Sequence, residues 1–99
     1  KKNIDFTQCF AACSNLREVP VLNTSSVSTF SFTNVFQNCP ALSNASLNNI
    51  LQMCINAVKV TSPSYRNLNK LGLTQAQAET CQTLSNYQAF LDAGWTTGY

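Results

Sequence analysis

No histidine occurs among the 99 residues, which removes the side chain that most readily moves a proton near neutral pH. Charge is scarce as well. Six basic and four acidic residues leave a net charge of +2, and no basic stripe exists to neutralise phosphates, so capture of nucleic acid is not expected. The only glycines are Gly72, Gly94 and Gly98, which rules out a glycine-rich phosphate loop. No apolar run reaches the roughly 18–20 residues that cross a bilayer, so membrane insertion is not expected. The four carboxylates, Asp5, Glu18, Glu79 and Asp92, do not pair at helical spacing, and a cysteine nucleophile lacks its histidine. Cys-x-x-Cys is missing, and Cys9 with Cys13 supplies only half a zinc site. These absences point away from an enzyme and toward a chain with no cofactor or metal.

Uncharged polar residues fill the space instead. Asn, Ser, Thr and Gln number 12, 10, 10 and 7, together 39 of the 99. Such a surface is hydrated without strong fields and suits a protein at work outside the cytoplasm. Five cysteines leave at least one thiol unpaired within the chain. Reduced cysteines packing as small hydrophobes are favoured over a Cys13–Cys39 bridge, because side chains stacked in successive layers point in parallel.

A repeat organises the chain. Leu16, Leu42 and Leu68 stand 26 residues apart, and each opens an apolar-x-x-apolar-x-apolar run: Leu16 to Val21, Leu42 to Leu47, and Leu68 to Leu73. Upstream, Phe6 and Phe32, Phe10 and Phe36, and Cys13 and Cys39 keep the same register. A period of this length is the signature of a solenoid whose units bury their apolar faces only by stacking. The expected fold is a right-handed α/β solenoid of about three strand–helix coils, with short parallel strands and a helical C-terminal cap. Residues 1–84 form the solenoid and residues 85–99 the cap and tail. Residues 1–13 resemble the back half of a coil, so the expectation is that further coils precede Lys1; without them Phe6 and Phe10 would drive self-association.

Local signals place the helices. An apolar stripe from Val27 through Phe30, Phe32, Val35 and Phe36 predicts a helix ending near Gln37. Leu47, Ile50, Leu51, Cys54 and Val58 predict a second from about Ser46 to Val58, and residues 59–67 read as a loop. Thr74-x-x-Gln77 is a capping box with Leu73 placed to staple onto Ala78, and predicts a helix from Thr74 to about Leu84. Ser85-x-x-Gln88 reads as a second box, starting a helix to about Ala93 with Gly94 as its left-handed terminus. Tyr87, Phe90, Leu91 and Trp95 supply apolar area to cover the solenoid end.

In a stacked solenoid the positions between buried strand residues form ladders: Arg17, Ser43 and Asn69, and beside them Glu18, Asn44 and Lys70. Such ladders serve as binding surfaces in many solenoids, or simply face water. The candidate binding residues are therefore Arg17, Glu18, Asn44, Asn69 and Lys70. Trp95 and Tyr99 join them as rings that either stack on a sugar or pack in the cap. Asn23-Thr24-Ser25 and Asn44-Ala45-Ser46 match the N-glycosylation pattern.

Phe36-Gln37-Asn38-Cys39-Pro40-Ala41-Leu42, preceded by Leu22-Asn23-Thr24-Ser25-Ser26-Val27, resembles the repeat of the BspA-like leucine-rich proteins. Phe30 and Val35 stand where that repeat commonly has methionine. The likeness covers residues 4–58 well and 59–84 weakly, because the third unit lacks the Phe and Cys. Residues 71–98 are similar to C-terminal segments of phage tail and surface proteins that carry such repeats. The resemblance implies a surface or virion protein active in adhesion and recognition. It transfers no functional residue, since the shared motif is a packing motif. The expected role is a non-enzymatic recognition module, the distal part of a phage tail-associated or bacterial cell-surface protein, whose partners are a host-surface glycan or protein receptor and other subunits of a larger assembly. The alternative is a purely structural capping or assembly module of a virion or filament.

Overall fold

In the computed structural model, which describes residues 15–21, 24–25, 34–61 and 63–99, Ser43 opens the longest helix. Its hydroxyl accepts the Ser46 N–H at 3.1 Å, satisfying one donor that a helix start leaves open. Helix α1 (Asn44–Asn56) buries Leu47, Ile50, Leu51, Met53 and Cys54. The predicted helix is thus present, but it begins two residues early and stops before Val58, which is 66 % exposed. A 3-10 turn (Pro63–Tyr65) interrupts the loop that follows. Then come α2 (Leu68–Leu71), α3 (Gln75–Cys81) and α4 (Tyr87–Asp92). Helix α1 packs against α3 and α4, and α2 against α3.

The α/β solenoid is overturned. Among the described residues there is no strand and no sheet, only an isolated parallel bridge between Asn67 and Thr96. The three copies of the leucine motif take three conformations, so the chain is a small helical domain rather than a leucine-rich-repeat stack. The Leu16 copy is irregular, with Val19 buried and Val21 exposed. The Leu42 copy runs into the N-terminus of α1. The Leu68 copy is α2 itself. The physical reason is local. Apolar-x-x-apolar is also i, i+3 spacing, which one helical turn satisfies when its ends are capped. Asn67 accepts the Lys70 N–H at 2.8 Å at one end of α2. At the other, Gly72 adopts φ +92°, which allows Gly72 and Leu73 N–H groups to return to Asn69 and Leu68 carbonyls. The ladder Arg17–Ser43–Asn69 fails accordingly. Ser43 N–H does donate to Arg17 O at 2.9 Å, but Asn69 N–H goes to Thr97 O at 3.1 Å.

Two other expectations change. The first predicted helix lies largely outside the described residues; its described end, Asn34–Asn38, is a run of turns with Asn34 at φ 57° and Asn38 at φ 59°. Left-handed residues break a helix, yet Val35 and Phe36 still reach the core. The Ser85 box does not form. Ser85 Oγ accepts from Asn48 Nδ2 at 3.3 Å, and Gln88 donates to Asp92 at 3.0 Å. Asn48 Oδ1 accepts the Asn86 N–H at 2.9 Å and Asn48 O accepts from Asn86 Nδ2 at 3.1 Å, so α1 anchors the residue that precedes α4 from across the fold. By contrast the Thr74–Gln77 box is complete, and Leu73 and Ala78 are both buried. Phe6, Phe10, Phe32, Cys9 and Cys13 lie outside the described residues.

One core joins these elements, with Trp95, Phe36, Phe90, Ile50 and Leu51 among its largest buried side chains. Burying Trp95 contributes about 3 kcal/mol. Arg66 holds it in place: the guanidinium sits 5.5 Å above the indole and donates to Val60 O at 2.6 Å, Gly94 O at 3.4 Å, and Ala93 O. Ala93 and Gly94 follow α4, so a cation closes the negative end of that helix. Among the described residues no helix is long and apolar enough to cross a membrane.

Candidate functional site

Helix α3 presents Gln75, Ala78, Glu79 and Gln82 at i, i+3, i+4 and i+7, a single face. The capping box fixes where that face begins. Gln77 Oε1 accepts the Thr74 N–H at 2.9 Å, while Gln77 Nε2 donates to Cys39 O at 2.8 Å and pins the first turn to the segment before α1. Ala78, at the base of that face, and Cys81 are buried and anchor α3 in the core.

The C-terminal tail forms the facing wall. Leu68 N–H donates to Thr96 O and Thr96 N–H to Arg66 O, both at 3.1 Å. These bonds make the Asn67–Thr96 bridge and bring the tail alongside α2. Tyr99 then donates its hydroxyl to Leu73 O at 2.7 Å, directly before α3. Between α3 and the tail lies an open groove of about 450 Å³, lined by Gln75, Ala78, Glu79, Gln82, Thr97 and Tyr99. That size falls within the roughly 300–1,000 Å³ of small-molecule sites. Glu79 is its only charged side chain among the described residues.

The predicted site residues divide into separate places. Tyr99 lies on the groove, 56 % exposed, with its ring fixed by the Leu73 bond. Trp95 is 1 % exposed and packs 6.1 Å from Phe90, so it serves the core. Asn69 is exposed beside the tail. Lys70 turns its ammonium over the Tyr65 ring at 5.0 Å. Arg17, Glu18 and Asn44 gather elsewhere, at the start of α1. There Glu18 Oε1 accepts from Ser43 Oγ at 3.1 Å and lies 3.4 Å from Ser46 Oγ. Helix α1 has no acidic residue in its first turn, and Glu18 supplies that charge from outside. Arg17 contributes its carbonyl, which accepts from Ser46 Oγ at 2.8 Å. Ser46 is fully buried, so the Asn44-Ala45-Ser46 pattern is closed once the chain folds, although Asn44 is exposed.

Sequence reasoning missed Gln75, Glu79, Gln82 and Thr97. The signal was there in part, as a polar i, i+4, i+7 face directly behind a capping box. What the face meets depends on residues 15 or more positions away.

Among the described residues the groove offers amides, a hydroxyl, a carboxylate and an aromatic ring, but no thiol. Cys54 and Cys81 are buried in the α1 and α3 faces. Burial pushes the Cys54 thiol well up from its ordinary value, with Cys81 adding to the rise and Arg66 opposing it. Burial likewise pushes Cys81 up to about 12. Both stay protonated and act as packing groups. Among the described residues no three His, Cys, Asp or Glu side chains gather in a way that could hold a metal ion. Comparison with protein-family models, characterised proteins and solved structures gives no match to this chain.

Proposed function

We propose that this chain is a non-enzymatic recognition module that works on a cell or virion surface and meets its receptor with the groove between α3 and the C-terminal tail. The observation that carries this reading is the groove itself. It is walled by α3 on one side and by a hydrogen-bonded tail on the other, and its rim holds an exposed tyrosine whose hydroxyl is already tied down. A preorganised ring loses little freedom on binding, which is why tyrosine recurs at recognition surfaces. The surface placement is supported by the 39 uncharged polar residues and the scarcity of charge.

The test is saturable binding of the fluorescently labelled chain to intact bacterial and animal cells, compared with Glu79→Arg and Gln82→Arg. Both positions are exposed, so the fold tolerates the changes. The expected result is binding to at least one cell type that drops about tenfold or more in both variants, a loss of about 1.4 kcal/mol or more. Binding that is unchanged in both variants, or absent from every cell type, overturns the reading.

A further inference from the structure

We infer that the groove takes a neutral saccharide of one or two pyranose rings. This deepens the recognition reading above and rests on it. Among the described residues its lining carries no lysine or arginine, so phosphate, sulfate and carboxylate ligands meet no cation there, and Glu79 repels them. Ala78 is the one aliphatic side chain among the described lining residues, so an apolar peptide or acyl chain gains little there.

What remains matches a polyol. Sugar hydroxyls donate and accept at once. The Gln75 and Gln82 amides each present both a donor and an acceptor, Thr97 adds a hydroxyl, and Glu79 adds two acceptor oxygens. Hydrogen bonds of a sugar hydroxyl to an ionised carboxylate are the stronger kind. The Tyr99 ring supplies the remaining requirement, a flat apolar surface for the C–H face of a pyranose. With its hydroxyl held by Leu73 O, that ring is oriented before the ligand arrives. A site of this size with a few polar contacts and one ring gives a dissociation constant on the order of 1 mM, and tighter capture of a surface follows from many copies acting together.

The experiment is a nitrogen-15 NMR titration of the full chain with methyl glycosides of glucose, galactose and N-acetylglucosamine, with lactose and maltose, and with sialic acid as the anionic comparison. The expected result is that at least one neutral sugar shifts Gln75, Glu79, Gln82, Thr97 and Tyr99, while sialic acid shifts them less. Tyr99→Ala weakens that sugar about tenfold, and Tyr99→Phe, which keeps the ring, weakens it less. If Tyr99→Ala loses its dispersed spectrum, Gln82→Ala on the exposed end of α3 is judged in its place, with a weakening of at least threefold expected. No shift with any neutral sugar, shifts confined to the Arg17–Asn44 region, or equal affinity in the judged variant overturns the saccharide assignment. Cell binding that survives enzymatic removal of surface glycans overturns this assignment alone and leaves the recognition reading standing; cell binding that never occurs removes both.

Discussion

Replacing Gly72 by alanine tests the reasoning that a helix terminus, rather than a strand, organises the third leucine motif. Gly72 has φ +92°, and a Cβ built there lies 2.6 Å from Gln37 Cα and 2.7 Å from Gln37 N. Both are backbone atoms, so no side-chain rotation relieves the overlap. The Gln37 backbone is itself held, because Asn34 N–H donates to Lys70 O at 2.6 Å and Phe36 N–H to Leu71 O at 2.9 Å. Moving that turn aside stretches both bonds and disturbs Val35 and Phe36 in the core. A left-handed alanine costs about 1–2 kcal/mol. Overpacking against a fixed neighbour adds about 1–3 kcal/mol, and the stiffer unfolded chain returns about 0.4–1 kcal/mol. The net loss is about 3 kcal/mol, which for a domain of this size lowers the midpoint by roughly 12–24 °C. Thermal and urea unfolding followed by Trp95 fluorescence measures it, since Trp95 is the only tryptophan and is buried. Gly72→Asn separates the two causes: asparagine tolerates the left-handed region but still carries a Cβ, so it keeps the overpacking share, a loss of about 1–2 kcal/mol. A loss below about 1 kcal/mol for alanine, or a near-neutral asparagine, refutes the packing argument.

Three further outcomes are expected. Arg66→Lys keeps the charge but loses the fork that reaches Val60, Ala93 and Gly94, and lowers stability by about 2 kcal/mol with a red shift of Trp95 emission; unchanged melting contradicts this. Ser46→Ala strands the Val19 N–H, which Ser46 Oγ accepts at 2.8 Å, and costs about 1–3 kcal/mol in urea unfolding, with faster hydrogen exchange at Val19 as the local signature. The buried thiols make stability fall in alkali. Their folded values lie above the ordinary thiol value, so the stabilisation is complete below pH 9 and is lost as pH rises from 9 toward 12. The slope is about 1.4 kcal/mol per pH unit for each thiol, and Cys81→Ala removes one share of it; a variant with the same pH slope as the parent disproves the assignment.

The parts of this fold were unequally legible. The α3 start was readable because both halves of its capping box lie within four residues, and Leu73 and Ala78 flank them. Helix α1 was readable because its apolar spacing is long and regular. The same spacing logic misled at Leu16, Leu42 and Leu68, where six residues of apolar-x-x-apolar-x-apolar suit a strand or a helical turn equally well. Identical patterns at a fixed period then lent the strand reading a false coherence. Of the predicted site residues only Tyr99 came to line the groove, because Trp95 packs in the core and the others were chosen for a ladder that the chain does not build.

The sequence by itself determined the interactions that close over a few residues: the Thr74–Gln77 box, the amphipathic face of α1, and the left-handed Gly94 after α4, observed at φ +93°. Only the tertiary structure decided which competing partner won elsewhere. Asn48, 38 residues away, holds Asn86 where the Ser85 box fails to form, and Gln37 closes against Gly72. The groove likewise exists only because Thr96 and Thr97 bond to Arg66, Leu68 and Asn69 and carry Tyr99 to α3. A hydrogen bond within one turn costs almost no loop closure and is written in adjacent letters. One that spans 25 to 40 residues forms only when a shared core has already brought its ends together.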